Sequence, residues 1–225
     1  GGHRLWMSPE RDLTYYPDNS PVQIEKIPLG LIIKASKQHI TELELSIKVE
    51  FIGRDSLRVT HKAKNHGDKK RISLWGLTVM KSGYTMTLDV DKKEQGLLPN
   101  RNIVLWPYSD INDNRLKIEN SHIKLKSDKS VSKPIKIGTY NDNIKATYEM
   151  GEDIFVKKFE GIKKSFYPDF HCNFECYVSD KIHEVESLSP FEEVGKTQEI
   201  EFVEIWELKV KNEIKFTAGN SEAET

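Results

Sequence analysis

The chain has 225 residues and a mass of 26.0 kDa, with 34 Lys and Arg against 35 Asp and Glu and a formal charge of −1. A chain of this size can bury a sizeable core, and no linker-like stretch divides it, so one domain is expected over residues 1–225. The balanced charge offers no field for nucleic acid or an anionic membrane. The longest apolar runs, such as Leu29 to Ile33 and Ile103 to Trp106, fall far short of the ~20 residues a membrane helix needs, and an uncharged polar partner fits best.

The sequence opens at Gly1-Gly2-His3-Arg4-Leu5-Trp6 without an initiator Met, so the gene product is expected to start upstream, with room for a removed signal peptide. Further on, Leu43, Leu45, Ile47, Val49 and Phe51 alternate with Glu44, Ser46, Lys48 and Glu50, the pattern of a half-buried strand. Similar runs predict strands at Leu57 to Ala63, Ile72 to Met80, Tyr84 to Val90, Leu116 to Ile118, Ile123 to Leu125, Ile154 to Phe159, Cys172 to Val178 and Ile200 to Val210. Turn signals separate them, among them Gly53-Arg54-Asp55, Asn65-His66-Gly67-Asp68, Ser82-Gly83, Asn141-Asp142-Asn143 and Glu160-Gly161. No long stretch repeats at 3.6 residues, and only one or two helical turns are expected, near Pro107 to Asn114. The Lys-rich run Lys124 to Lys129 reads as a solvated edge or turn, and Ala218 to Thr225 as a polar, frayed tail. Many strands with one polar face each imply an all-β fold, either two stacked antiparallel sheets or a closed barrel, and the lack of a fixed repeat argues against a propeller.

Several chemistries find no support in the residues. If Cys172 and Cys176 share a strand, their Cα atoms lie roughly 13 Å apart, beyond the ~7 Å limit for a disulfide. They read instead as small buried hydrophobes on an apolar face with Phe174 and Val178. The missing disulfide framework favours the cytoplasm and leaves a periplasmic or secreted location open. No His pair stands at ligand spacing with a third ligand nearby, so no metal is expected, and no glycine-rich phosphate loop or nucleophile elbow points to a cofactor or a serine nucleophile.

What remains is three clusters of aromatic, acidic and basic residues at strand ends. The first runs from Gly1 to Trp6 and on to Pro9-Glu10-Arg11 and Pro17-Asp18-Asn19. The second is Leu98 to Asp110, containing Arg101, Trp106 and Tyr108, with Arg115 just beyond. The third is Tyr167 to Glu175, containing Asp169 and His171, followed by His183 to Pro190. Aromatic faces beside carboxylates and guanidinium groups suit a sugar ring, which stacks its apolar face and hydrogen-bonds its hydroxyls. Each also has a structural reading. Any one of Trp6, Trp75, Trp106 and Trp206 is better read as core, and Arg4, Arg101 and Arg115 serve loop carbonyls and carboxylates equally well. Glu204 shares a strand face with Ile200, Phe202, Trp206 and Leu208, so it should meet either a pocket or a basic partner.

These clusters resemble the galactose mutarotase-like superfamily, in particular a subgroup of domains of unknown function. The resemblance rests on Gly1 to Trp6 with Ser8-Pro9-Glu10, on Leu98 to Asp110, on Tyr167-Pro168-Asp169 before Cys172-Asn173-Phe174-Glu175, and on Val185 to Pro190 leading to Glu204-Ile205-Trp206-Glu207-Leu208. It implies a large twisted antiparallel β-sandwich, or supersandwich, with a carbohydrate in the concave face of one sheet, and further strands ahead of the Gly-Gly-His-Arg motif. In the superfamily's aldose epimerases a Glu takes the anomeric proton while a His protonates the ring oxygen. By similarity Glu186, in its Glu-Ser-Leu-Ser-Pro setting, is the base, and Arg4, Arg101, Trp106, Asp110, Asp169 and Glu204 shape the pocket. The acid does not carry over, because Asn65-His66 leads into the polar turn Gly67-Asp68-Lys69-Lys70; His3 and His171 are the candidates for it. Two rival readings follow from the residues, a carbohydrate-binding domain without catalysis and a structural domain.

Overall fold

The computed structural model describes residues 2–15, 17, 19–91 and 96–211. Gly1 and Asp18 of the first cluster, and the tail expected to be frayed, lie outside them. Numbered along the chain, one sheet runs in spatial order β1 (Gly2–Ser8), β6 (Lys70–Lys81), β15 (Ile182–Leu188), β14 (Phe174–Val178), β11 (Ile135–Thr139) and β8 (Val104–Leu105). A seventh strand, β16 (Glu192–Val194), pairs with β6 beyond that path. The second sheet has ten strands in the order β2 (Gln23–Ile27), β3 (Gly30–Lys34), β4 (Leu43–Gly53), β5 (Ser56–Asn65), β17 (Glu199–Val210), β13 (Asp153–Glu160), β12 (Asn143–Met150), β7 (Thr85–Asp89), β10 (His122–Lys126) and β9 (Leu116–Ile118). Every described pairing is antiparallel. Among the described residues no helix is long and apolar enough to cross a membrane.

Alternation does most of the building. On β12, Ile144, Ala146 and Tyr148 are buried while Asn143, Lys145 and Glu149 are exposed, so one face joins the core and the other meets water. Leu74, Met86, Leu88, Leu125, Ile137 and Phe174 meet between the sheets, and burying each such side chain is worth ~1.5–3 kcal/mol. Strand β6 departs from the alternation, being buried without a break from Ile72 to Thr78, and on β15 the same holds from Val185 to Leu188. The middle of the seven-stranded sheet is therefore covered on its outer face too, by loops.

Two local expectations need correction. The segment 107–114 forms no helix but successive turns, closed by Ser109 N–H to Trp106 O at 2.8 Å and Asp113 N–H to Asp110 O at 3.1 Å. The predicted strand from Cys172 starts only at Phe174, because Pro168–His171 turns in a left-handed sense just before it.

Phe174 is completely buried between the sheets. We expect Phe174→Ala to lower unfolding free energy by about 3–5 kcal/mol, read in urea as a lower midpoint at unchanged slope.

Candidate functional site

Register divides the seven-stranded sheet into two faces with different chemistry. Ser187 on β15 donates to Glu204 on β17 of the opposite sheet, so the Ser187 face looks inward and the Glu186 face outward. Cross-strand pairing then lines up Gly138, Glu175, Glu186, Leu77 and Arg4 as one outward row. Lys136, Tyr177 and Glu184 form the next row, and Leu188, Trp75 and Trp6 form an apolar row on the other side.

At the centre of the outer face Lys136 Nζ donates to Glu175 Oε2 at 2.7 Å and to Glu186 Oε2 at 3.0 Å. The Trp75 indole N–H donates to the same Glu186 oxygen at 2.7 Å. The ammonium also lies 4.8 Å from the Trp75 ring centroid and 4.7 Å from that of Trp106, a cation–π arrangement on two sides. Oε1 of Glu175 and Oε1 of Glu186 are buried without a hydrogen-bond partner. Burial drives the Glu175 carboxyl well above the ordinary carboxylate range against the pull of Lys136, with Glu186 and Asp169 adding to the rise. Burial likewise raises Glu10, with Glu186 and Asp169 again adding. Lys136 is desolvated, yet Glu186 and Glu175 more than offset this and hold it charged. The outer face is thus a desolvated carboxyl cluster around one lysine, walled by indole rings.

Loops hold this cluster closed. A Cβ on Gly138 would stand 2.5 Å from Cys172 Sγ and 3.2 Å from Trp106 Cζ3, so both side chains press onto the sheet at a position that only glycine leaves open. Cys172 therefore covers the outer face, while Cys176 points inward to His183 at 3.1 Å; the two free cysteines do not share one apolar face. Asp169, Phe170 and His171 have φ of 49°, 55° and 73°. Left-handed backbone of this kind costs roughly 1–2 kcal/mol per non-glycine residue. Asn102 Nδ2 offsets part of that strain by donating to the carbonyls of Phe170 and His171 at 3.2 and 3.3 Å, and the turn delivers Asp169 close enough to act on Glu175 and Glu10. Strain of this kind gathers at ligand sites.

The sequence-predicted residues fall into four places. Glu186, Trp106, Asp169 and Arg4 gather at the outer face, with the Arg4 guanidinium 4.8 Å over the Trp6 ring and close enough to Glu184 to lower its pKa. Arg101 and His171 line a separate cavity of about 320 Å³ with Tyr140, Asp142 and Phe170. There Arg101 donates to Asn100 Oδ1 and Asn120 O, both at 3.2 Å. Asp110 stands apart, its exposed carboxylate accepting from Asn112 N–H at 2.9 Å to close a turn.

His3 and Glu204 lie on the inner face, so the sheet itself separates His3 from Glu186, and the expected acid–base pairing of those two fails. Glu204 meets a basic partner rather than a pocket: Lys157 Nζ lies 3.3 Å from its Oε1, and both side chains are wholly buried. Trp206 Nε1–H donates to Oε2 at 2.7 Å. Lys157 also donates to the carbonyls of Gly76 at 3.2 Å and Val185 at 3.0 Å, which stitches the two sheets together. Burial raises the Glu204 carboxyl, but Lys157, His61, His3 and Ser187 outweigh it and leave its pKa at about 2. His3 Nε2 sits 2.6 Å from His61 Nε2, and burial, against the attraction of Glu204, lowers both imidazoles. Sequence reasoning missed His61, Lys136 and Lys157, since a lone lysine or histidine in an alternating strand normally signals the solvent side.

With this geometry established, comparison with known proteins adds a fold and no more. No family model matches the chain, and no curated protein matches it. Among solved structures, the "putative mutarotase (YeaD)" of Salmonella typhimurium superposes with a TM-score of 0.51 at 9% identity, over 85% of this chain and 66% of that one. The chain thus spans just under two thirds of that protein's length. The chain shares the fold of this neighbour, a large antiparallel β-sandwich.

Glu184 belongs to the same outer face, where burial first and the Glu186 charge second push its pKa up to about 7. A carboxyl raised on folding stabilises below its unfolded pKa of ~4.3 and loses that contribution as pH climbs toward the folded value. We expect the urea midpoint of the wild type to decline over that interval, and Glu184→Gln to flatten the decline.

Proposed function

We propose that the outer face of the seven-stranded sheet holds a neutral carbohydrate and that Glu186 acts as base on its anomeric hydroxyl, as in aldose 1-epimerases. The observation that carries this reading is the state of Glu186: Trp75 and Lys136 both engage Oε2, and Oε1 is left without a partner. An unfilled buried carboxylate oxygen is costly, and a sugar hydroxyl is a donor that would satisfy it. Trp75, Trp106 and Trp6 offer apolar faces for the ring. The surplus of carboxyl groups over basic ones favours an uncharged sugar over a phosphorylated one. Since Glu186 is wholly buried, entry requires the Trp106 and Asp169 loops to move.

Among the described residues no histidine hydrogen-bonds to Glu186, so an imidazole acid is not at hand. Glu175 lies directly opposite on the neighbouring strand and is held toward its protonated form. A carboxyl held toward its acid form beside a second carboxyl that accepts from Trp75 and Lys136 provides a proton donor and a proton acceptor. In this reading Glu186 takes the proton of the anomeric hydroxyl and Glu175 gives its proton to the ring oxygen. The bond from C1 to the ring oxygen then breaks, and the chain rotates before closing on the other face. The closed loops and the absent imidazole favour, as a second reading, a carbohydrate-binding domain without turnover.

The test is anomer exchange followed by NMR on free and 6-phosphorylated aldoses, with wild type, Glu186→Gln and Glu175→Gln. Exchange above the buffer rate on a free aldose that drops by about 100-fold or more in Glu186→Gln is the expected result. Ligand-induced protein shifts without exchange would replace it with the binding reading, and neither signal on any sugar would remove both.

A further inference from the structure

The inner face carries an arrangement that the sugar reading does not use. His3 on β1, His61 on β5 and Glu204 on β17 bring one potential ligand atom each within 4.8 Å of one another, from an edge strand of one sheet and two adjacent strands of the other. We propose that these three side chains form a binding site for a divalent metal ion of the zinc class.

Each ring already has its second nitrogen tied. His61 Nδ1 lies 3.3 Å from the Phe202 carbonyl and His3 Nδ1 lies 3.0 Å from Thr78 Oγ1, the outer support that metal-ligating histidines carry. This leaves both Nε2 atoms facing each other at 2.6 Å. Without an ion, His61 donates from Nδ1 to Phe202, His3 donates from Nε2 to His61, and the Thr78 hydroxyl donates to His3. With an ion, the His3 proton moves from Nε2 to Nδ1, Thr78 turns from donor to acceptor, and both Nε2 lone pairs face the metal without net loss of a proton. Zinc bonds of ~2.0–2.1 Å in tetrahedral geometry put two nitrogens about 3.3 Å apart, so His3 needs to retreat by less than an ångström. It is free to do so, because it stands on an edge strand and lines a cavity of about 440 Å³ with Arg4, Leu5, Val22 and Leu45. That cavity also gives the ion a way in.

Glu204 is placed by Ser187 and Trp206, which donate to different carboxylate oxygens; Oε1 also faces the Lys157 ammonium, so Oε2 is the oxygen that keeps a further lone pair for a metal. Two imidazoles and one carboxylate suit zinc better than calcium or magnesium. The Lys157 ammonium beside Glu204 opposes the ion, but the Gly76 and Val185 carbonyls hold it from the other side. Bound there, the ion would clamp β1 to the opposite sheet.

The experiment strips the full chain with a chelator, reloads it with Zn²⁺ or Co²⁺, removes excess ion by gel filtration and measures metal content and the visible Co²⁺ spectrum. We expect about one ion per chain, an intense Co²⁺ band of the tetrahedral kind, and loss of both in His61→Ala, with His66→Ala as the surface control. Thr78→Val, which removes only the support of His3, should weaken affinity by ~10–100-fold with the metal-free circular dichroism spectrum unchanged. Folded wild type that retains no metal and shows no cobalt band would overturn the proposal, as would equal metal content in wild type and a folded His61→Ala.

Discussion

The ion pair of Lys157 with Glu204 is the constraint on which the sandwich turns. Both side chains are wholly buried between the sheets, where an unpaired charge would cost several kcal/mol. The pair is tolerable only because every neighbour is placed to satisfy it: two carbonyls of the facing sheet for the ammonium, a hydroxyl and an indole N–H for the carboxylate. That fixes how the two sheets stack, since a shift by one residue would carry β13 and β17 side chains to the wrong face. Gly76 is part of the same solution. A Cβ there would lie 2.8 Å from Glu204 Oε1 and 2.9 Å from Ser187 Oγ, so the sheets approach closely only at a residue without a side chain.

Fixing the inner face also fixes the outer one. Because β15 alternates, the Ser187 contact to Glu204 obliges Glu184 and Glu186 to point away from the core. A second buried lysine, Lys136, then plays for Glu175 and Glu186 the part that Lys157 plays for Glu204. The two lysines differ in what surrounds them. Lys157 faces one carboxylate, which stays ionised, whereas Lys136 faces two carboxyls with Glu10, Glu184 and Asp169 nearby, so protons must be held there to keep the charge in balance. One cluster joins the two sheets and has the paired histidines at its border, whereas the other keeps two buried carboxylate oxygens without a partner.

The fold was largely legible in the sequence, because alternation is a backbone property that needs no partner to be seen. The run from Leu43 to Phe51 became β4, and that from Ile200 to Val210 became β17. Strands β11 and β15 were harder. Ile135–Thr139 is buried on both faces, and the acidic residues of Ile182–Leu188 face a covered surface rather than water, so neither shows the polar side that marks a strand. The site was legible only in part. Glu186, Trp106 and Asp169 stood out as chemistry at strand ends, and the structure does gather them. His3 and Glu204 looked like members of the same pocket, but residue type says nothing about which face a side chain takes until register is known. Lys136 and Lys157 carry no signal in sequence, since only the tertiary structure brings their carboxylate partners to them.

The left-handed turn before β14 connects these levels. Three consecutive non-glycine residues at positive φ gain nothing locally, and a relaxed loop of the same length would serve to connect the strands. The strain persists because Asn102 clamps the turn's carbonyls and Cys172 N–H returns to Pro168 O at 2.8 Å. Its result is that Asp169 is set near the carboxyl cluster while His171 packs tilted against Tyr140 with ring centroids 4.6 Å apart, beside the separate Arg101 cavity. One strained segment therefore supplies a residue to each place, so the position of Asp169 beside the carboxyl cluster is tied through the backbone to that of His171 in the neighbouring cavity.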